Sequence, residues 1–288
     1  MESTPAELIL LLPVAALLGA LVGSFLNVVI YRLPVMLERS WENDAREILE
    51  LDPPEEQTVF NLATPPSRCR GCGAAIKPWQ NIPVLSWLLQ GGKCRSCKSP
   101  ISAQYPLVEA GCALLTFAVA LQFGATWQTV AAMLFTWFLV AGAVIDFNTQ
   151  LLPDNITLPL LWLGLLVSLA PWSVSPEQAI IGAALGYLSL WGVYQLFKLL
   201  TGKEGMGYGD FKLLAALGAW CGWEQLPTVI LLSSMAGAVI GIAWLKLGGK
   251  HKDTAMPFGP YLAIAGWLAY LWGPQMTDAY LGYMTGGY

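Results

Sequence analysis

The sequence predicts an all-α polytopic membrane protein of about eight transmembrane helices, with a cytosolic zinc-binding loop domain between the first and second. Three observations predict it. The 288 residues are 56% hydrophobic and 12% charged, with a mean hydropathy of +0.55, a balance that soluble globular chains do not show. Apolar runs recur at 8–31, 105–123, 127–147, 156–171, 178–200, 211–223, 226–247 and 257–273. Most are long enough to cross a hydrocarbon core of about 30 Å, although 211–223 is short. Charge then orders the runs. With the N-terminus outside, all 15 Lys and Arg fall on the inner side: Arg32 through Lys98, then Lys198, Lys203 and Lys212, then Lys246, Lys250 and Lys252. The outer segments carry Glu2, Glu7, Glu177, Glu224 and Asp278, which is the positive-inside pattern and holds only if 211–223 crosses.

Taken in order, the chain divides into a first transmembrane helix (1–31), a cytosolic zinc-binding domain (32–104) and a transmembrane domain (105–288). Met1-Glu2-Ser3-Thr4 lacks the basic start of a cleaved signal peptide, so the first helix is expected to stay. Gly19 and Gly23 give that helix a small face for close packing, and Ser24, Asn27 and Tyr31 share one side, suited to interhelical hydrogen bonds. The helix is expected to end near Pro34, with Arg32 marking the inner interface. A separate amphipathic helix follows at 37–49, where Leu37, Trp41, Ala45 and Ile48 share a face. On pattern alone Glu38 and Glu42 belong to its solvated side. Asp52-Pro53-Pro54-Glu55-Glu56 reads as an exposed connector.

The most specific local motif is Cys69-Arg70-Gly71-Cys72, then 21 residues, then Cys94-Arg95-Ser96-Cys97. Two Cys-x-x-Cys knuckles supply four thiolates for a tetrahedral structural zinc, and a closed four-sulfur shell leaves no position for substrate. Disulfides are the alternative, but this loop is assigned to a reducing cytoplasm. Cys112 and Cys221 lie in apolar runs and read as packing residues.

Glu109 sits about one turn into the second run, either supporting a polar site or reaching the interface. Asp146 closes the third run, and Asp154, beyond Pro153, reads as a helix cap. Gly182 and Gly186 repeat the close-packing pattern, and Met256-Pro257-Phe258-Gly259-Pro260 opens the last helix with rigid turn residues. Gly205-Met206-Gly207-Tyr208-Gly209-Asp210-Phe211-Lys212 places a carboxylate among glycines at the mouth of an apolar run. A carboxylate in hydrocarbon costs on the order of 2.5–3.5 kcal/mol at a helix centre, so it marks a cavity, a pathway or a reaction. Capping of the following helix is the bland reading. A dinucleotide loop would need a preceding strand, which 188–200 does not resemble.

The topology brings Asp146 and Asp210 to one depth. Two neighbouring carboxylates cannot both ionise easily, so one activates water while the other, protonated, polarises a carbonyl. That is aspartic peptide hydrolysis, and the glycines beside Asp210 would admit a substrate backbone. The single histidine, His251, lies in a charged loop, and no His-Glu-x-x-His is present.

Gly207-Tyr208-Gly209-Asp210, with Asp146 ahead of Leu151-Leu152-Pro153, resembles the paired-aspartate signature of the type IV prepilin peptidases, among the intramembrane Gly-x-Gly-Asp aspartic proteases. The 23–34 stretch, both cysteine pairs, 105–109, 205–212 and 257–261 resemble family segments in order. The resemblance implies cleavage of the leader of type IV prepilins and type II secretion pseudopilins at the cytoplasmic face of a bacterial inner membrane, with the N-terminus periplasmic. It further implies N-methylation of the new terminus by S-adenosylmethionine. Carried over, Asp146 and Asp210 are the catalytic pair, and Cys69, Cys72, Cys94 and Cys97 the zinc ligands. Gly207, Gly209, Lys212 and Glu109 are supporting positions, and Glu38 is the matching methyl-transfer residue. The 32–104 domain then holds the methyltransferase region and 105–288 the peptidase. The expected partners are prepilins, pseudopilins and the bilayer, with no nucleic acid. Two rival readings stand beside it. Paired acids also serve ion- or proton-coupled transporters, though both lie near one face here and no inverted repeat is evident. The third reading is a zinc-knuckle membrane scaffold.

Overall fold

A computed structural model describes residues 5–52, 59–248 and 256–284. Lys250, Lys252, His251, Glu2 and most of the 52–56 connector therefore lie outside the described residues. The chain is all-helical among the described residues and forms two compact units, 1–129 and 130–288.

In the first unit α1 (Pro5–Ile48) is one helix of 44 residues. At 1.5 Å per residue it is about 66 Å long, roughly twice the hydrocarbon thickness. The expected end near Pro34 and the separate helix at 37–49 are thus corrected. Pro34 removes only the bond to the Ile30 carbonyl, and the helix formers after it carry the helix on to Ile48. Trp41 and Ile48 remain exposed along that extension. The helix α3 (Gln104–Phe123) packs on α1 through the predicted glycines. A Cβ on Gly19 would lie 2.6 Å from Thr116 Oγ1 and 2.8 Å from Ala113 Cα, and one on Gly23 would lie 2.8 Å from Glu109 Cα. Asn27 Nδ2 donates to the Tyr105 carbonyl at 3.0 Å, fastening the same pair nearer its inner end. Arg32 is buried and donates to the carbonyls of Asn61 (2.8 Å) and Pro65 (2.6 Å), so it ties the loop to α1 instead of reaching a lipid headgroup. The short α2 (Leu85–Leu89) lies in the chain between the two cysteine knuckles.

The second unit is arranged around a short helix. Its elements are α4 (Trp127–Thr149, which begins in the first unit), α5 (Asp154–Val167), α6 (Pro176–Thr201), α7 (Tyr208–Cys221), α8 (Leu226–Gly248) and α9 (Gly259–Met284). Phe211, Leu214, Leu217 and Trp220 of α7 are all fully or nearly fully buried, because other helices cover it on every side. Contact with α6 runs through Gly182 and Gly186, whose added Cβ atoms would strike the backbone at Gly218 and Leu214. On α5 the partner is Gly164, where a Cβ would meet Trp220 Cδ1 at 2.6 Å, and Trp220 Nε1 donates to the Leu160 carbonyl at 2.8 Å. Phe135 of α4 stacks on Trp220 with ring centroids 4.8 Å apart.

Among the described residues, five helices are long and apolar enough to cross a membrane: 8–48, 104–123, 127–149, 176–201 and 223–243. The chain is a multi-pass membrane protein, and five of the expected eight crossings meet that length and composition. The helices α5 and α7 have 14 residues each, about 21 Å, and α9 is interrupted at Trp272 and carries Pro274. A helix as buried as α7 touches protein over its length, so its apolar residues pack against neighbours and not lipid.

Candidate functional site

Asp146 lies in the last turn of α4, 5% exposed, and Asp210 in the first turn of α7, 8% exposed. Their carboxylates are close enough to interact electrostatically. The sequence placed both at one depth, and the fold brings them together. Asp210 does not cap its helix: Gly207 is the N-cap, and no side-chain capping bond forms. Asp210 Oδ1 is buried and has no hydrogen-bond partner among the described residues, whereas buried carboxylate oxygens in proteins are as a rule paired. It is left to accept from water or a bound molecule.

Asp146 sits at the negative end of the α4 dipole, an unfavourable place for a carboxylate. The start of α9 compensates: the Gly259 N–H donates to Asp146 Oδ2 at 2.9 Å. A Cβ on Gly259 would lie 2.7 Å from that oxygen, so only glycine lets the backbone come so near. Sequence reasoning missed this residue. Its signal was the Pro257-Phe258-Gly259-Pro260 turn, which reads as a helix opener because a donating backbone N–H leaves no mark on residue type.

Gly209 is packed on Leu152, where a Cβ would come within 3.0 Å of the Leu152 carbonyl oxygen. Lys212 turns to Asp154, with Nζ to Oδ1 at 2.6 Å. Asp154 is not the cap of α5; Pro153 holds that position in extended conformation, and Asp154 is the first helical residue. Glu109 belongs to the first unit. It accepts from the Val84 N–H at 2.7 Å and from the Ser24 hydroxyl, and so holds a loop in which Val84 adopts φ 60°, strained for a β-branched residue. Glu38 is exposed on the extension of α1.

The four loop cysteines converge, their sulfurs all within 4.8 Å of one another. Each pair forms the same turn. Cys69 N–H bonds to the Ala74 carbonyl and Gly73 N–H to the Cys69 carbonyl; Cys94 N–H bonds to Ser99 and Lys98 N–H to Cys94 in the same way. The left-handed residue of each turn is Gly73 (φ 71°) or Lys98 (φ 61°). Cys69 and Cys97 sulfurs are 3.8 Å apart, far beyond a disulfide of about 2.05 Å. That separation matches the edge of a tetrahedron with metal–sulfur bonds of about 2.3 Å. Electrostatics favour thiolate at Cys69 and Cys97. The N–H groups of Cys72 and Gly71 hold the Cys69 thiol down at about 6, and the Ser99 hydroxyl lowers Cys97. The Ala74 N–H draws Cys72 down, but hydrogen bonding with Cys97, burial and Cys69 leave it pushed up to about 11. The cluster fits a zinc ion. Arg70, inside the first knuckle, stacks 3.9 Å from the Tyr31 ring and so ties it to α1.

Comparison with known proteins points the same way. Residues 17–123 match the bacterial Peptidase A24 N-terminal domain, and residues 133–242 match the type IV leader peptidase family. The chain is similar to proteins named prepilin leader peptidase/N-methyltransferase. That of Pseudomonas aeruginosa is 58% identical over 265 residues, covering 92% of this chain and 91% of its own. That of Stutzerimonas stutzeri is 55% identical over 283 residues, 96% of this chain and 98% of its own. The Legionella pneumophila protein is 45% identical over 270 residues, 94% of each. No solved structure matches the chain.

Proposed function

The chain belongs to the type IV leader peptidase family, and we propose from that premise that it cuts the leader from type IV prepilins and then N-methylates the new N-terminus. Type II secretion pseudopilins are substrates of the same chemistry. The catalytic pair in this reading is Asp146 and Asp210. One observation carries it: two buried acids meet at converging helix ends, and one of them keeps an unpartnered oxygen.

Hydrolysis follows from that arrangement. The pair shares one proton, because a second negative charge so close is unfavourable. The ionised carboxylate takes a proton from water, whose oxygen attacks the scissile carbonyl, while the protonated carboxyl donates to the carbonyl oxygen. The tetrahedral diol then collapses, its proton passing through the pair to the departing amine. Gly259 holds Asp146 in one orientation by its N–H, and burial limits access by bulk water. Glycine at 207 keeps a side chain away from Asp210 Oδ2, and glycine at 209 makes room for Leu152.

Zinc would be held by Cys69, Cys72, Cys94 and Cys97 and would supply folding stability to the loop, with no coordination position left for chemistry. S-adenosylmethionine would supply the methyl group when bound, and exposed Glu38 would take up the proton that the new terminal amine gives up. The protein spans the bacterial inner membrane with its N-terminus periplasmic and the zinc loop cytoplasmic, as its Lys and Arg placement supports.

The test is mass spectrometry of a prepilin-like substrate treated with purified enzyme, with and without S-adenosylmethionine. Leader loss followed by donor-dependent gain of one methyl is expected. No leader loss by folded, zinc-loaded protein would overturn the reading. Glu38→Gln should impair methylation more than cleavage, and equal loss would remove Glu38 from the methyl-transfer step.

A further inference from the structure

Between the two aspartates the chain makes one tight passage. The Gln150 N–H bonds to the Asp146 carbonyl at 2.8 Å, and Gln150 adopts φ 56°, which turns the chain out of α4. Leu151-Leu152-Pro153 then leads into α5. Leu152 is buried, and three glycines mark what surrounds it. Its Cδ2 would lie 3.5 Å from a Cβ on Gly142, one helical turn before Asp146 and on the same face of α4. Its Cβ and carbonyl oxygen would lie 2.5 and 3.0 Å from a Cβ on Gly209, the neighbour of Asp210. Its Cδ1 would lie 2.8 Å from a Cβ on Gly259, whose N–H holds Asp146. A single residue thus lies against each of the three helix ends that build the site, and glycines at 209 and 259 make room for it.

We propose that Leu152 is a positioning residue for peptide hydrolysis: a wedge between the ends of α4, α7 and α9 that sets the separation of the Asp146 and Asp210 carboxylates. The inference rests on the peptidase reading. Leu152 carries no group that can act on substrate, so its effect passes through the geometry of the pair. Three contact surfaces in backbone-tight places give it little freedom, and the two acids are attached to helices it separates. Truncation lets the ends settle towards the space left, and misplacement on the order of 1 Å costs about a hundredfold in rate. It also strengthens the coupling of the two acids as they draw closer, and coupling is what holds the two limbs of a shared-proton pH profile apart.

The experiment compares kcat, KM and the pH profile of leader cleavage in wild type, Leu152→Ala, Leu152→Met and Leu160→Ala, each checked for folding by its melting temperature. Leu160 is fully buried in α5, away from the pair, and its truncation serves as a destabilising control. Leu152→Ala is expected to lose kcat by about a hundredfold with KM little changed, and its pH profile to widen. Leu152→Met, similar in volume, is expected to recover most of kcat and the wild-type width. Leu160→Ala should lower the melting temperature and keep the wild-type profile. If Leu152→Ala does not fold, Leu152→Val should show the same widening to a smaller degree. An unchanged profile in folded Leu152→Ala or Leu152→Val, or the same widening in Leu160→Ala, overturns the proposal. Absence of cleavage in wild type, or cleavage by Asp146→Asn or Asp210→Asn, would instead defeat the peptidase reading beneath it.

Discussion

Replacing Gly186 by alanine tests whether the packing of α6 on α7 positions Asp210. The new Cβ would lie 2.5 Å from the Leu214 carbonyl oxygen, 2.9 Å from its carbon and 3.1 Å from Ala215 Cα. All three are backbone atoms, so no rotamer change relieves the clash. Ordinary contact begins near 3.4 Å, and moving from 2.5 to 3.4 Å requires the helices to part by roughly 0.9 Å. Leu214 follows Asp210 by one turn on the same helix face, so that shift reaches the carboxylate nearly undiminished. Overpacking of this kind costs about 1–3 kcal/mol in stability, and a displacement near 1 Å at a reacting group costs about a hundredfold in rate. Gly192→Ala is the matched control. It lies on α6 with open space around a new Cβ, and alanine in a helix is favoured over glycine by about 1 kcal/mol. The assay is the initial rate of leader cleavage in detergent, beside a thermal melt. Gly186→Ala should be slow and somewhat less stable, and Gly192→Ala fast and as stable as wild type. Wild-type cleavage by folded Gly186→Ala would refute the reasoning, since the acid would then tolerate a displaced helix.

Two further outcomes are expected. Cys72→Ser or Cys97→Ser should lower zinc to well below one ion per chain by elemental analysis; and because binding must displace the proton of the Cys72 thiol, which is pushed up to about 11, wild-type zinc affinity should fall as pH is lowered. Asp154→Asn removes a partly exposed ion pair with Lys212, a pair worth about 0–1 kcal/mol, so cleavage should fall by no more than about fivefold; a loss as deep as that of Asp210→Asn would place Asp154 in the catalytic set.

The sequence made the two chemical clusters legible for different reasons. Zinc ligands repeat a fixed local spacing, so Cys69, Cys72, Cys94 and Cys97 could be grouped before any fold was known, and their sulfurs do converge. Asp146 and Asp210 are 64 residues apart in the chain, and only the alternation of apolar runs brought them to one end. Helix packing was readable where it depends on absence of a side chain, at Gly19, Gly23, Gly182 and Gly186. The reading failed where the signal is diffuse. Pro34 looks like a terminus but removes a single helical bond, and α1 continues. Apolar content cannot separate a lipid-facing helix from one enclosed by protein, so the burial of α7 on every side was not visible in its sequence. Gly259 acts through its backbone N–H, and Leu152 through shape, and neither property is visible in residue type.

The central claim is that two acids perform the cleavage. Its most direct measurement is mass spectrometry of a prepilin-like substrate incubated with purified, zinc-loaded wild type, Asp146→Asn and Asp210→Asn, the melts of all three being alike. The account predicts leader loss with wild type and none with either variant, since an amide can neither take the water proton nor pass it on. Cleavage by either folded variant at a wild-type rate would contradict it.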